Sequence, residues 1–230
     1  IGHTKFKKVK TIYQRYEEIP EDWNFKKISE IGKIVGGGTP DTTNEEYWNG
    51  DVSWLVPQEL TGLAGNYIEK SERTITKKGL EKSSAKPLPV GTVLLTSRAT
   101  VGECAIAKKP MTTNQGFQNI TCNDNYDNLF VLYTLQHNKY RLIRLAQGTT
   151  FLEINKKNVG KVELPFSNKK QEQQKIVSIL SNVDSQIQQT QKLVDLTQRL
   201  KKGLMQRLLT RGIGHTKFKT VQGTPRYIKF

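Results

Sequence analysis

Apolar side chains recur every three or four residues along residues 169–210, a segment without proline in which Gln, Lys and Leu dominate. A narrow apolar seam with this period is typical of a coiled-coil helix. Its first part consists of Ile176, Leu180, Val183, Ile187, Thr190 and Val194. From about residue 195 the register shifts, and the seam consists of Leu193, Leu196, Leu200, Leu204 and Leu208. We expect a helix of roughly 60 Å that begins at an Asn168 cap, ends at Gly212 and needs a partner helix.

The residues before this helix have a different pattern, in which short apolar runs alternate with turns. Such runs predict strands at residues 52–56, 73–75, 91–96, 103–107 and 118–122. Residues 26–35 fit a short helix or a strand, residues 36–40 a loop, and residues 128–145 a helix with a leucine stripe. Trp54 and Phe117 are expected in the core and Trp23 at the domain edge. The predicted fold class is α+β, with a small twisted β-sheet in a mixed α/β domain and a long helix after it.

Residues 1–7, Ile-Gly-His-Thr-Lys-Phe-Lys, recur unchanged as residues 213–219. The second copy starts where the helical pattern ends, so residues 1–212 form one period. This period is too long for a solenoid repeat and indicates two units around a two-fold or pseudo-two-fold axis. We divide the chain into a polar lead-in (1–16), a globular domain (17–168), a helix (169–211) and a tail (212–230). Because the first residue is Ile, we expect a fragment, a processed chain or an engineered chain.

The charge of the chain is strongly positive, with 36 Lys and Arg against 21 Asp and Glu and a formal net charge of +15. Residues 166–230 hold 13 basic and 3 acidic side chains, whereas residues 1–165 hold 23 and 18. This balance favours a polyanion such as duplex DNA, although a basic helix also suits an acidic protein subunit. No stretch approaches the roughly 20 apolar residues of a membrane span, and no signal peptide is evident. We therefore expect a cytoplasmic protein without membrane contact.

Motifs of catalysis and cofactor binding are missing from the sequence. There is no Walker A pattern, and the run of glycines at residues 36–38 fits a turn better than a phosphate cradle. Three histidines and two cysteines lack the spacing of zinc ligands. Cys104 and Cys122 are expected to be small buried side chains in a reducing compartment. We expect no catalytic residues, no metal and no cofactor.

Several short segments, none of them specific alone, occur in a characteristic order. They are IPEDW (19–23), GGTP (37–40), YWNGDVSW (47–54), TITKKGL (74–80), PVGTVLLTSRATVG (89–102), TNQGF (113–117), GTTF (148–151) with Ile154, LP (164–165) with EQQKI (172–176), and LMQRLLT (204–210). Over about residues 17–211 the chain resembles one half of the specificity subunit of type I restriction-modification systems.

The resemblance implies a non-catalytic DNA-reading subunit. Such subunits carry two target-recognition domains, each followed by a long helix, and the two helices lie antiparallel. Each domain reads half of a bipartite target, DNA methyltransferase (modification) subunits dock on the specificity subunit, and restriction (nuclease/translocase) subunits join them. The present chain has one such domain. It is either a truncated or engineered half, or a natural half-subunit that forms a homodimer through an antiparallel coiled coil with a second copy and reads a symmetric target.

Candidate DNA contacts follow from side-chain chemistry within these segments. An arginine in a predicted turn suits a guanine edge, a phosphate or a surface ion pair, and amides suit adenine or loop hydrogen bonds. Exposed lysines suit phosphates or are simply solvated. The candidates are Gln58, Lys77, Lys78, Ser97, Arg98, Asn114, Gln115, Gln118, Lys156 and Lys157.

Two other function classes stay open from the sequence. One is a self-contained restriction-methylation fragment, which methyl transfer to DNA without partners would favour. The other is a coiled-coil scaffold whose globular domain binds protein rather than DNA. Salt-sensitive binding of duplex DNA by residues 1–168 would count against the scaffold.

Overall fold

A computed structural model describes residues 2–148 and 152–217 of the chain. Residues 149–151 of the GTTF segment and residues 218–230 of the predicted tail lie outside the described residues. The chain divides into two compact units, Ile1–Asn182 and Val183–Phe230. The division falls inside the long helix, 14 residues after the boundary at 168 that the sequence predicts.

The fold is a mixed α+β domain with several small sheets and a long C-terminal helix. The strands are β1 (Phe6–Lys10), β2 (Tyr16–Pro20), β3 (Trp23–Lys27), β4 (Gly32–Gly36), β5 (Trp48–Leu55), β6 (Tyr67–Ile68), β7 (Arg73–Ile75), β8 (Val93–Leu95), β9 (Cys104–Ala107), β10 (Thr112–Thr113), β11 (Gln118–Cys122) and β12 (Glu163–Ser167). The helices are α1 (Ile28–Ile31), α2 (Lys77–Glu81), α3 (Asn128–His137), α4 (Lys139–Leu145), α5 (Lys156–Lys161) and α6 (Lys170–Arg211), with 3-10 turns at Glu45–Tyr47 and Pro57–Glu59.

Among the described residues these strands form four sheets. The largest has the order β4-β11-β8-β9-β6, in which β8 is antiparallel to both neighbours and β6 is parallel to β9. A second sheet has the order β10-β5-β7, and β1 pairs with β2 and β12 with β3. The prediction of a mixed α+β domain is confirmed, but the described strands form four small sheets rather than one and include strands that the sequence did not predict.

The central strand β8 supports two hydrophobic clusters, one on each face of the largest sheet. Successive side chains of a strand point to opposite faces. Accordingly Val93 and Leu95 join the larger cluster with α3 and α4, whereas Leu94 joins a smaller cluster that includes Leu55 and Phe117. All five side chains are fully buried, which explains the continuous apolar run of this strand.

A third cluster lies under the sheet β10-β5-β7 and is built on two tryptophans. The rings of Trp48 and Trp54 meet edge to face at 5.0 Å between centroids, and the Arg73 guanidinium lies 3.9 Å from the Trp48 centroid. The Trp54 indole N–H donates to the Gly38 carbonyl at 2.8 Å. Trp54 is therefore in the core, as predicted, and ties the glycine loop to β5.

The predicted strands at 52–56, 73–75, 91–96, 103–107 and 118–122 are confirmed, with shifts at their ends. Residues 26–35 contain the end of β3, the short helix α1 and most of β4, so they combine the two alternatives. The predicted helix at 128–145 is two helices separated at Asn138, because the backbone of Asn138 leaves the helical region and its side-chain amide binds the Thr134 carbonyl at 2.9 Å.

Most of the predicted polar lead-in (1–16) is part of a hairpin. Residues 6–20 form this hairpin, β1–β2, in which Phe6 pairs with Pro20 and Lys10 with Tyr16. Tyr13 and Ile19 are buried, so the hairpin contributes apolar side chains to the domain although most of its residues are polar.

Helix α6 begins at Lys170, runs for 42 residues without a break and ends at Arg211. Gly212 follows with φ of +64°, and its N–H donates to the Leu208 carbonyl at 2.9 Å, which confirms the predicted stop. The prediction of an Asn168 cap is wrong, because the Asn168 side chain instead donates to the Asp22 carbonyl at 2.7 Å.

The first turns of α6 are anchored to the domain by polar and apolar contacts. Gln173 is buried, accepts from the Asp127 backbone N–H and donates to the Ser167 carbonyl, both at 2.9 Å. The Trp23 indole donates to Glu172 at 3.1 Å, so Trp23 is the predicted edge anchor. Ile176 is partly buried against the larger cluster, so this predicted seam residue contacts the domain.

Candidate nucleic-acid interface

Two loops that carry predicted DNA contacts, at residues 97–98 and 114–116, are hydrogen-bonded to each other and to the glycine loop at residues 36–40. The Ser97 N–H donates to the Gly116 carbonyl at 2.7 Å, and the Asn114 N–H donates to the Leu55 carbonyl at 2.9 Å. The Thr39 hydroxyl donates to the Gln115 side-chain carbonyl. These hydrogen bonds join the glycine loop, the 97–98 loop and the 114–116 loop, which we call the loop cluster.

The glycines of the loop cluster allow two backbones to approach closely. A Cβ added at Gly37 would lie 1.9 Å from the Asn114 carbonyl oxygen, and one at Gly38 would lie 2.4 Å from the Ala85 nitrogen. Neither distance is sterically possible without movement of the backbone. Gly37 and Gly38 therefore allow close packing of two backbones, whereas Gly36 is the last residue of β4.

Arg98 is exposed on the loop cluster. The sequence allowed a guanine edge, a phosphate or a surface ion pair for this side chain, and the structure shows the ion pair. Its Nε lies 2.9 Å from Oε1 of Glu153, and both side chains are a little under half exposed, at 45% and 43%. The next residue, Ala99, has φ of +61°, which places a tight turn directly after the arginine.

Several of the candidate side chains are buried or are hydrogen-bonded within the protein. Ser97 is fully buried, so its hydroxyl does not reach the surface and the prediction of a DNA contact by this side chain is not supported. The Asn114 side chain accepts from the Gly116 N–H at 2.8 Å, which is the loop-stabilising role that the sequence also allowed. Gln118 is partly buried on β11, and its side-chain oxygen is inaccessible.

The remaining amides lie at the surface near the loop cluster. Gln58 is exposed in the 3-10 turn Pro57–Glu59. This turn lies next to the 114–116 loop, because a Cβ added at Gly116 would lie 2.7 Å from Pro57 Cγ. Gln115 is exposed at the tip of its loop. Together with Arg98, these amides form the accessible polar part of the surface.

The four candidate lysines divide between two places. Lys156 and Lys157 are exposed at the start of α5, directly after Ile154 and Asn155. Because the Ile154 N–H donates to the Ser97 carbonyl at 3.0 Å, this pair lies next to the loop cluster. Lys77 and Lys78 lie on α2, where a hydrogen bond from Lys78 holds the pKa of Glu46 below its usual value.

Glu153 is a residue of this surface that the sequence reasoning missed. Its backbone exchanges two hydrogen bonds with Gln147, both at 2.8 Å, and the Ile154 N–H connects the same segment to Ser97. The only signal in the sequence was the resemblance at Gly148 and Ile154, which flank this acidic residue.

The thiols are poor nucleophiles in this environment. Burial raises the pKa of Cys104 to about 12 and that of Cys122 also to about 12. Within residues 2–148 and 152–217, no group of three or more His, Cys, Asp or Glu side chains is arranged to hold a metal ion. In the same residues, no helix is long and apolar enough to cross a membrane.

Residues 20–198 match the family described as type I restriction modification DNA specificity domain. The chain belongs to this family. It is 40% identical over 185 residues to the type I restriction enzyme MjaIX specificity subunit of Methanocaldococcus jannaschii. The aligned residues cover 80% of this chain and 43% of the relative. It is 28% identical over 177 residues to the EcoR124I/EcoR124II specificity subunit of Escherichia coli, with 74% and 42% covered.

Solved structures of specificity subunits share the fold. The S subunit from M. genitalium matches with a TM-score of 0.56 at 19% identity, over 81% of this chain and 45% of that one. The HsdS subunit from Thermoanaerobacter tengcongensis matches with a TM-score of 0.58 at 20% identity, over 85% and 46%. The chain thus spans less than half the length of the specificity subunits that it matches, and the domain described above corresponds to one portion of them.

Proposed function

We propose that residues 17–168 form a target-recognition domain that reads one half of a bipartite DNA sequence. The observation that carries this proposal is that Arg98 and Gln115 are exposed on the loop cluster, and that Gln58 is exposed on the 3-10 turn next to it, in a specificity-family domain. Arginine and glutamine are the side chains best suited to the edges of guanine and adenine in the major groove.

Lysines beside the loop cluster supply affinity in this proposal. Lys156 and Lys157 are exposed and adjacent to the Arg98 loop through the Ile154 hydrogen bond. Contacts of lysine with phosphate do not depend on the base, but they fix the position of the protein on the duplex and make binding sensitive to salt.

Helix α6, which corresponds to the predicted segment 169–211, acts in this proposal as a spacer between two readers. Its 42 residues correspond to about 63 Å at 1.5 Å per residue, longer than the roughly 34 Å of one turn of B-DNA. The seam residues from Leu180 onward are more than one-third exposed, which is expected of a surface that pairs with another helix. We propose an antiparallel coiled coil with a second copy of the chain, which gives a homodimer and a symmetric target.

The proposed partners are those of the family. A DNA methyltransferase (modification) subunit docks on the specificity subunit, and a restriction (nuclease/translocase) subunit joins that complex. The specificity subunit itself supplies recognition rather than catalysis, so methylation and cleavage require these partners.

Nuclease footprinting tests the proposed function. The full chain together with a modification subunit is expected to protect a split sequence, with two protected blocks and an unread gap. Lys156→Ala with Lys157→Ala should weaken binding to all sequences alike and reduce the salt slope by about two. Lys8→Ala with Lys10→Ala changes the same charge on exposed residues of β1 and should have a smaller effect. A continuous footprint, or none, would contradict the proposal.

A coiled-coil scaffold is the second candidate, and the exposed apolar residues of Val183–Arg211 favour it as much as they favour a spacer. The two candidates differ in what the globular part binds. Salt-sensitive binding of duplex DNA that is lost on mutation of the loop cluster supports the reader. Self-association without any DNA binding supports the scaffold.

A further inference from the structure

The segments that carry Arg98 and Glu153 are fixed to each other by their backbones. Ser97 and Ile154 are both fully buried, and the Ile154 N–H donates to the Ser97 carbonyl at 3.0 Å. Two further backbone hydrogen bonds of 2.8 Å hold Glu153 against Gln147. Arg98 directly follows Ser97, and Glu153 directly precedes Ile154. The backbone contact between Ser97 and Ile154 therefore brings the two charged side chains close together.

The ion pair uses one side of the arginine. The contact of 2.9 Å runs from Nε of Arg98 to Oε1 of Glu153. A guanidinium has five N–H donors in a planar fork, so a carboxylate at Nε can orient the group while the terminal nitrogens bind a second pair of acceptors. The N7 and O6 atoms of guanine are such a pair.

Stability does not account for this ion pair. Both side chains are more than 40% exposed, and pairs of this kind contribute little to the free energy of folding. A carboxylate on a surface that meets DNA also repels phosphates. On such a surface Glu153 would weaken nonspecific attraction to phosphates beside Arg98 and would restrict the directions in which the guanidinium points.

We propose that Glu153 is a positioning residue for base recognition, which holds Arg98 toward a guanine edge and away from the phosphate backbone. This inference rests on the proposed DNA-reading function. It gives an acidic residue a role in specificity. Glu153 neutralises part of the positive charge of Arg98, so Arg98 is attracted less strongly to a phosphate. Its binding energy then depends more on directional hydrogen bonds to a base.

The test is selection from a pool of random duplexes, with the full chain alone and with a modification subunit at low salt, followed by sequencing. Wild type should prefer guanine at one position per half-site. Arg98→Ala should reduce that preference by about tenfold or more and leave other positions unchanged. Glu153→Gln should reduce the same preference severalfold and increase binding to unselected duplex.

Two comparisons separate positioning from a general charge effect. Glu69→Gln removes a carboxylate from a similar exposed pair, in which Lys109 Nζ lies 2.8 Å from Glu69, and should not change the preference for any base. Adding Glu153→Gln to Arg98→Ala should change the guanine preference no further, because Glu153 acts through Arg98.

Three outcomes overturn the inference in distinguishable ways. If Glu153→Gln retains the full guanine preference, Glu153 does not position Arg98. If Arg98→Ala weakens binding equally at all sequences and lowers the salt slope by about one, Arg98 binds a phosphate. If wild type selects no sequence in either condition, the DNA-reading function fails, and the inference fails with it.

Discussion

Arg141 of α4 is fully buried and forms an ion pair with Glu17 of β2, which lies 124 residues earlier in the chain. Its Nε also donates to the Asn138 side chain at 2.9 Å, and the rings of Tyr13, Phe25 and Tyr140 have centroids 5.1–5.3 Å from the guanidinium. The pair therefore connects the N-terminal hairpin to the helices of the domain through a desolvated charge.

Loss of the Glu17 carboxylate should destabilise the domain. Glu17→Ala leaves a buried guanidinium without its counter-charge, and we expect a loss of about 3 kcal/mol in the free energy of unfolding. Urea unfolding followed by tryptophan fluorescence measures it. Glu18→Ala, on an exposed residue of the same strand, should change stability by less than about 0.5 kcal/mol. Equal effects of the two variants would show that the ion pair is not a stabilising contact.

Glu172 should make the anchoring of α6 sensitive to acid. Burial tends to raise its pKa, but hydrogen bonds from Ser167, His3 and Trp23 together outweigh burial, so the pKa lies below the ordinary value of 4.5. A carboxyl group with a depressed pKa stabilises the fold above its unfolded-state pKa, and the contribution is lost as the pH falls through the folded-state pKa.

The stability difference between wild type and Glu172→Gln is therefore expected to be full near neutral pH and to shrink as the pH falls below about 4.5. Thermal unfolding at a series of pH values, with Glu18→Gln as the exposed comparison, measures this. A difference that grows on acidification would contradict the assigned hydrogen bonds.

Gly37→Ala should disturb the loop cluster. The added Cβ would lie 1.9 Å from the Asn114 carbonyl oxygen, and the required backbone movement should cost about 1–3 kcal/mol. Gly203→Ala, in the last third of α6 where an added Cβ meets nothing within 4 Å, should instead stabilise the helix by up to about 1 kcal/mol. Thermal unfolding and circular dichroism compare the two. A neutral Gly37→Ala would mean that the two loops are not in close contact.

Pairing of α6 should depend on the seam and not on the charge of the helix. Leu180→Lys with Ile187→Lys places two charges in the seam, and sedimentation should then give the mass of a single chain. Ser185→Lys with Gln188→Lys adds the same charge at exposed positions on a face that carries neither part of the seam and should leave the association intact. A single-chain mass for wild type would remove the proposed homodimer.

The elements that the sequence predicted best are those whose local pattern is strong. The strand at 73–75 and the helix at 169–210 agree with β7 and α6, because apolar periodicity and stop residues are local signals. The hairpin of residues 6–20 was missed because neither of its strands, FKKVK and YEEIP, shows a regular alternation of apolar and polar residues. Asn138 was not recognised as a helix break, since its effect depends on a hydrogen bond to its own helix.

The candidate site was predicted less completely, for a related reason. Arg98, Gln115 and Gln58 are exposed as expected, but Ser97 is buried, because its backbone joins a segment 57 residues later through Ile154. Glu153 could not be connected with Arg98 from the sequence, since no local pattern reports a contact across that distance. The chemistry of each side chain follows from the sequence, but the contacts between distant side chains are seen only in the folded structure.

The alternating side chains of β8 have a consequence for how the globular part comes apart. Val93 and Leu95 belong to one cluster and Leu94 to the other. Because β8 belongs to both clusters, its displacement removes packing from both, and we expect the two clusters to unfold together. We expect limited proteolysis to yield intact globule or small peptides, with no stable half-sized fragment between them. We therefore expect a domain built in this way to tolerate changes in its loops more readily than a cut through its central strand.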